Sequence, residues 1–196
     1  MRLHTSGLPA QTREAPVVAA KCLLLYNALT RTGLPGATGH RKRRGTGSST
    51  PTTGDEMSDF PPELREAALF HTHLGPYLVV GLRMGRVVTR ELGSEPFSYR
   101  IRAHTGRVPP YSCSVDGMQL ATPCTTGNGC IEVTDDRRMA LEAVSDEAVL
   151  TVTLRREVYD SIENDCSEDD QDRFALWIWE MPDDELFTVS LEDAKR

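Results

Sequence analysis

From residue 59 onward the chain shows two hydrophobic periods, one helical and one alternating. Pro61-Pro62-Glu63 followed by Leu64, Ala67 and Ala68 predicts a short helix, with prolines in its first turn and Ser58 or Asp59 as its cap. Pro76 suits the first turn of a second, longer helix. Leu78, Val79, Leu82, Met84, Val87, Val88 and Leu92 fill a wide apolar face there, and Gly93 ends it. Gly81 and Gly85, one turn apart, permit close approach of another backbone, with a dimer interface as one place for it. Residues 97–103 alternate apolar and polar, the mark of a strand covered on one face, and Pro109-Pro110 stops it. Residues 112–121 predict a short helix, and 122–130 a turn-rich loop. Residues 131–133, 139–144 and 148–154 read as strands, two of them paired. An acidic stretch, 163–172, leads into the end of a helix at Phe174–Glu180, with a short last element from Glu185. This order predicts an α+β fold: helices packed on one face of an antiparallel sheet.

Composition changes the picture at one boundary. Residues 1–56 carry eight Lys/Arg against three acidic residues, a net of +5. Residues 57–196 carry fourteen against twenty-six, a net of −12, and the two give the −7 of the whole chain. The first part ends in Gly45-Thr46-Gly47-Ser48-Ser49-Thr50-Pro51, a composition unable to offset its ordering entropy. Residues 1–56 are therefore expected to be a disordered extension, or an untranslated one if Met57 is the initiator, and 57–196 the folded domain. An acidic body argues against a nucleic-acid surface, which needs basic residues on one face. No run of eighteen apolar residues exists, so no membrane-spanning helix is expected. Five cysteines without a secreted-type framework fit reduced thiols in the cytoplasm.

The chemistry concentrates at Phe70-His71-Thr72-His73-Leu74-Gly75-Pro76 and at the cysteines downstream. Imidazole nitrogen and thiolate sulfur suit zinc and its neighbours, which makes His71, His73, Cys113, Cys124 and Cys130 candidate ligands. Residues two apart share a face in extended chain but not in a helix, so both imidazoles can enter one cleft only ahead of the second helix. The spacing contains no C-x-x-C and no H-x-x-x-H, and buried structural His and Cys is the competing reading.

Four stretches together carry a resemblance. Phe70 to Pro76, the helix with Gly81 and Met84-Gly85, Ser112-Cys113-Ser114-Val115-Asp116, and Cys124-Thr125-Thr126-Gly127-Asn128-Gly129 resemble the formylmethanofuran dehydrogenase E-subunit family over about residues 60–135. The resemblance implies an α+β core, often dimeric, with a His/Cys-lined cleft able to hold a divalent metal, zinc first. It points to His73 and Cys113 as ligands, then Cys124 and His71. Asp116 either orients a ligating imidazole or caps its helix. Gly127 and Gly129 either present backbone N–H groups to an anion or simply make the turn. Two departures stand out: Gly75 occupies a usual Cys position and Asn128 a usual Lys position. Cys130, where the family has Asn, would return a thiol to the neighbourhood. His104 is expected at an exposed strand end, and Trp177 and Trp179 in core and lid.

The family name implies one-carbon, methanogenesis-related chemistry. Formate-level redox needs a molybdenum or tungsten pterin and iron–sulfur relays. Five cysteines and no visible cofactor motif do not supply them. The expectation is thus a metal-binding, homodimeric domain accessory to one-carbon or metal-cofactor metabolism, with a small molecule as the ligand of its cleft. The alternatives are a zinc-dependent hydrolase-like enzyme on a small anionic substrate, and an interaction domain that has lost its metal.

Overall fold

A computed structural model of the chain describes residues 59–194. The expectations for residues 1–56 and for Met57 lie outside the described residues. The elements run α1 (Pro62–His71), α2 (Pro76–Leu92), β1 (Tyr99–Ala103), α3 (Cys113–Ala121), β2 (Ile131–Val133), β3 (Ala140–Ser145), β4 (Ala148–Leu154), α4 (Arg156–Asp165), a 3-10 turn (Glu168–Asp170), α5 (Gln171–Glu180), the short α6 (Asp183–Leu186) and β5 (Phe187–Asp193). The fold is α+β, as the alternation of periods requires.

The five strands form one sheet in the order β2-β1-β3-β4-β5. All neighbours are antiparallel except β1 and β2, which run parallel with Ile101 opposite Ile131. That exception has a topological cause: β1 returns to β2 through α3, a crossover and not a hairpin. Ile101, Leu141, Ala143, Leu150, Val152, Leu154 and Phe187 face the helices and are buried. The other face is polar or half-exposed, with Arg102 pairing Glu142 at 3.1 Å and Glu132 at 3.7 Å across the strands. Val189 and Leu191 stand opposite Val152 and Leu150, on the core side, yet remain exposed at the β5 edge.

Several expectations are corrected. α1 starts without a side-chain cap: Pro61 is its N-cap and Pro62 its first residue. The close approach that Gly81 licenses is to α3 of the same chain. A Cβ on Gly81 would fall 1.8 Å from the Ser114 carbonyl oxygen, and one on Gly117 would fall 2.2 Å from that of Leu78. Helix α4 has no counterpart in the pattern read from the sequence, although Val158 and Ile162 give it an inward stripe. The last element is a seven-residue strand paired along β4.

His104 is buried, 5% exposed, where an exposed strand end was expected. Its Nδ1 lies 2.8 Å from Asp136 Oδ2, with the Thr134 hydroxyl 3.1 Å away. Its Nε2 is 3.3 Å from Glu142 Oε1 without hydrogen-bond geometry. A hydrogen bond from the Thr134 hydroxyl, with others from Arg138 and His104, holds the Asp136 carboxyl well below the usual carboxylate range. The knot fastens residues 134–138 beneath the end of β1. Trp177 is exposed at 38%, and Trp179 lies half-buried under the Arg86 guanidinium, 4.6 Å from the ring centroid.

Candidate functional site

A cavity of about 790 Å³ opens where α1, the 104–112 loop, the start of α3 and the start of α5 meet. Local backbone explains why both imidazoles reach it. His71 is the last residue of α1, and Thr72 ends the helix in a left-handed turn (φ 76°) that swings His73 back beside it. The two rings sit 4.6 Å apart between centroids. They share the cavity because a helix ends between them; extended chain does not provide the shared face.

Asp116, one turn into α3, places Oδ2 2.7 Å from His71 Nδ1, while its Oδ1 accepts from Gln119 at 3.1 Å. A carboxylate there fixes the proton on Nδ1 and leaves the lone pair on Nε2. That Nε2 is buried and has no hydrogen-bond partner. Among the described residues it is one of three such side-chain atoms, and the one that belongs to a cavity-lining side chain. His73 is exposed at the rim. Partial burial of its ring, with the neighbouring His71 ring, lowers its pKa from the usual 6.5, which keeps it neutral and able to donate its lone pair at neutral pH.

Cys113, half-buried at the N-terminus of α3, also lines the cavity. Its position is braced from behind. Tyr111 donates to Glu163 Oε2 at 3.0 Å and Tyr77 donates to the other oxygen, so α2, α4 and the segment entering α3 are tied through one carboxylate.

Cys124 and Cys130 are buried in the core and do not line the cavity. Cys124 Sγ donates to the Tyr99 carbonyl at 3.4 Å, and burial with the Cys130 thiol beside it pushes its pKa up to about 11. Gly127 and Gly129 are also away from it. Their loop turns on itself: Thr125 N–H donates to Asn128 Oδ1 at 3.0 Å, Thr126 N–H to Gln119 Oε1 at 2.9 Å and Gly129 N–H to the Thr126 carbonyl at 3.3 Å. Gly75 is buried against two cavity-lining side chains, His73 and Gln171. A Cβ there would point between Gln171 Oε1 at 3.2 Å and His73 Nε2 at 3.8 Å, so a thiol at this position would have reached His73.

Three long polar or charged side chains of the cavity carry no site role in the sequence analysis: Arg107, Glu168 and Gln171. Arg107 carried a faint signal, a basic residue two positions before a Pro-Pro stop in an acidic body. Glu168 and Gln171 arrive by tertiary packing of α5 and carried none. Among the described residues no three His, Cys, Asp or Glu side chains converge as a ready metal-holding group. The donors fit a metal in part: one orphaned imidazole nitrogen, a second imidazole beside it, and a thiol on the same wall.

An α+β domain with a His-lined cavity between helix ends is the class that fold and site define. A family model described as "FmdE, Molybdenum formylmethanofuran dehydrogenase operon" matches residues 70–188, and the chain belongs to this family. The chain is 34% identical over 86 residues to a "Probable S-adenosyl-L-methionine-binding protein" of Archaeoglobus fulgidus, a match covering 41% of this chain and 23% of that protein. The match thus spans less than a quarter of that relative's length. A "tungsten formylmethanofuran dehydrogenase subunit e (fmde)-like protein" of Syntrophus aciditrophicus shares the fold, with a TM-score of 0.50 and 17% identity over 67% of this chain and 71% of that one. Among the described residues no helix is long and apolar enough to cross a membrane.

Proposed function

We propose that the cavity binds a divalent metal ion, zinc first, on His71 Nε2 and His73, with Cys113 of the same lining drawn in as third donor when the ion binds, in a cytoplasmic protein accessory to one-carbon or metal-cofactor metabolism. The observation that carries this reading is the buried, unpartnered His71 Nε2, whose tautomer Asp116 sets from the far side of the ring. Cys124 drops out of the proposed set, because a core thiol with a raised pKa and a carbonyl partner is a poor source of thiolate. A bound ion would supply Lewis acidity to an oxygen of the cavity's ligand. The chain's own part is to orient His71, keep His73 neutral and exclude water with Leu74, Val115 and Pro109. S-adenosylmethionine binding by the Archaeoglobus relative does not transfer, given how little of that protein is matched.

The test is metal content by mass spectrometry on the full chain purified without an affinity tag and re-equilibrated with zinc. About one ion per chain is expected, lost in both His71→Ala and His73→Ala with circular dichroism unchanged. A folded wild-type protein that takes up no metal, or a His71→Ala protein that keeps it, sinks the reading.

Asp116→Asn gives a second, metal-free check. Long-range proton–nitrogen spectra of wild type should show His71 protonated on Nδ1 and bare on Nε2. The variant should move population to the opposite tautomer and weaken zinc affinity by about 10- to 100-fold. An unchanged tautomer in the variant would remove Asp116 from this role.

A homodimer is part of the proposal, supported by the β5 edge. Antiparallel pairing of two copies about Ser190 sets exposed Val189 against exposed Leu191 of the second copy. Light scattering on the wild type and on Leu191→Lys checks it.

A further inference from the structure

The cavity wall mixes apolar side chains with a few charged ones. Arg107 is the one Lys or Arg lining it. Acidic partners are plentiful, twenty-six in residues 57–196, yet Arg107 forms no ion pair among the described residues. Its one side-chain hydrogen bond runs from Nη2 to the Val133 carbonyl at 2.8 Å, which leaves Nε and Nη1 unspent. The backbone just before it is anchored: the Gly106 N–H donates to the Thr134 carbonyl at 2.9 Å, two residues from the His104–Asp136 contact. Asp116, the lining carboxylate on α3, is already taken by His71 and Gln119. Leu74, Pro109, Val115 and Val133 cover much of the remaining wall.

We infer that the cavity's ligand is a small molecule with an apolar body and a carboxylate group, and that Arg107 binds this carboxylate. The Val133 bond takes one Nη2 hydrogen and leaves one two-donor edge of the guanidinium whole, and such an edge matches a carboxylate in fork geometry. The inference rests on the cavity being a ligand site, as proposed above, and does not depend on the metal.

The probes are phenylacetate and its neutral isostere phenylacetamide, titrated into the zinc-stripped full chain. Binding is followed by proton–nitrogen shifts of Gly106, Cys113 and the Arg107 Nε–H. Phenylacetate should bind at least about tenfold more tightly than the amide. Arg107→Gln should bring both probes to the amide's affinity without lowering the melting temperature, since Arg107 is exposed. Equal affinities in wild type, a preference that survives in Arg107→Gln, or no saturable shift with either probe would overturn the inference. A preference seen only after zinc is added would also overturn it and leave the metal reading intact. A preference in the stripped chain of a protein that takes up no zinc would do the reverse.

Discussion

Gly81→Ala is expected to destabilise the domain by about 3 kcal/mol or more, the upper end of the range for forced overpacking. The added methyl would sit 1.8 Å from the Ser114 carbonyl oxygen, 2.5 Å from its carbon and 2.6 Å from its Cα, all of them backbone. No rotamer change relieves such a contact; α2 and α3 must separate. Gly117→Ala should behave alike, because its Cβ meets the Leu78 carbonyl oxygen at 2.2 Å and the Leu82 nitrogen at 2.4 Å. These two helices form the most extensive contact between elements and carry His71's partner and Cys113 on one of them. Urea unfolding should therefore show a lower midpoint with an unchanged slope. Gly127→Ala is the control: its Cβ has nothing nearer than Thr125 Oγ1 at 3.8 Å, and a change within about 0.5 kcal/mol is expected. A Gly81→Ala protein as stable as wild type would mean the helices are not packed backbone to backbone.

Arg83→Leu is the second large effect, again about 3 kcal/mol or more. Arg83 is 9% exposed and sits in the apolar middle of α2. Its guanidinium donates to the carbonyls of Ile178 at 2.9 Å and Met181 at 2.8 Å, to that of Trp179, and to Asp183 Oδ1 at 2.6 Å. It thereby caps the C-terminal carbonyls of α5, where a cation is favoured by the helix dipole. Leucine would leave those carbonyls without their buried donor. The pair also sets an acid limit. Burial works against ionisation of Asp183, but hydrogen bonds from Arg90 and Arg83 outweigh it and lower its pKa below the ordinary 3.8. Its contribution is therefore full above 3.8 and is lost as the pH falls through the lower folded-state value. Asp183→Asn should flatten that part of the stability–pH curve while leaving stability at neutral pH reduced; an unchanged acid limb would rule the pair out as its source.

The core of this fold was legible because burial imposes a period. The wide apolar face of α2 and the alternation of Leu150, Val152 and Leu154 along β4 can be satisfied only by a helix and a strand covered on one side. The motif around His71 and His73 was legible for the opposite reason, as a cluster of chemically special residues that periodicity does not explain. Misreadings arose where a residue's role depends on what folds over it. His104 reads as a strand-end polar residue until residues 134–138 pack against it. Arg83 in an apolar helix has no meaning until α5 ends at its guanidinium.

The sequence by itself determined the α+β class, the family and the residues with ligand chemistry, since these follow from local period and residue type. Only the tertiary structure decided which of those residues meet. It put His71, His73, Cys113 and Asp116 around one cavity and sent Cys124 and Cys130 into the core. It also added Arg107 and Gln171 from segments distant in sequence. The physical reason is that convergence is set by helix ends and crossovers. The left-handed turn at Thr72, the Gly81–Gly117 contact and the packing of α5 each depend on partners that no local pattern encodes.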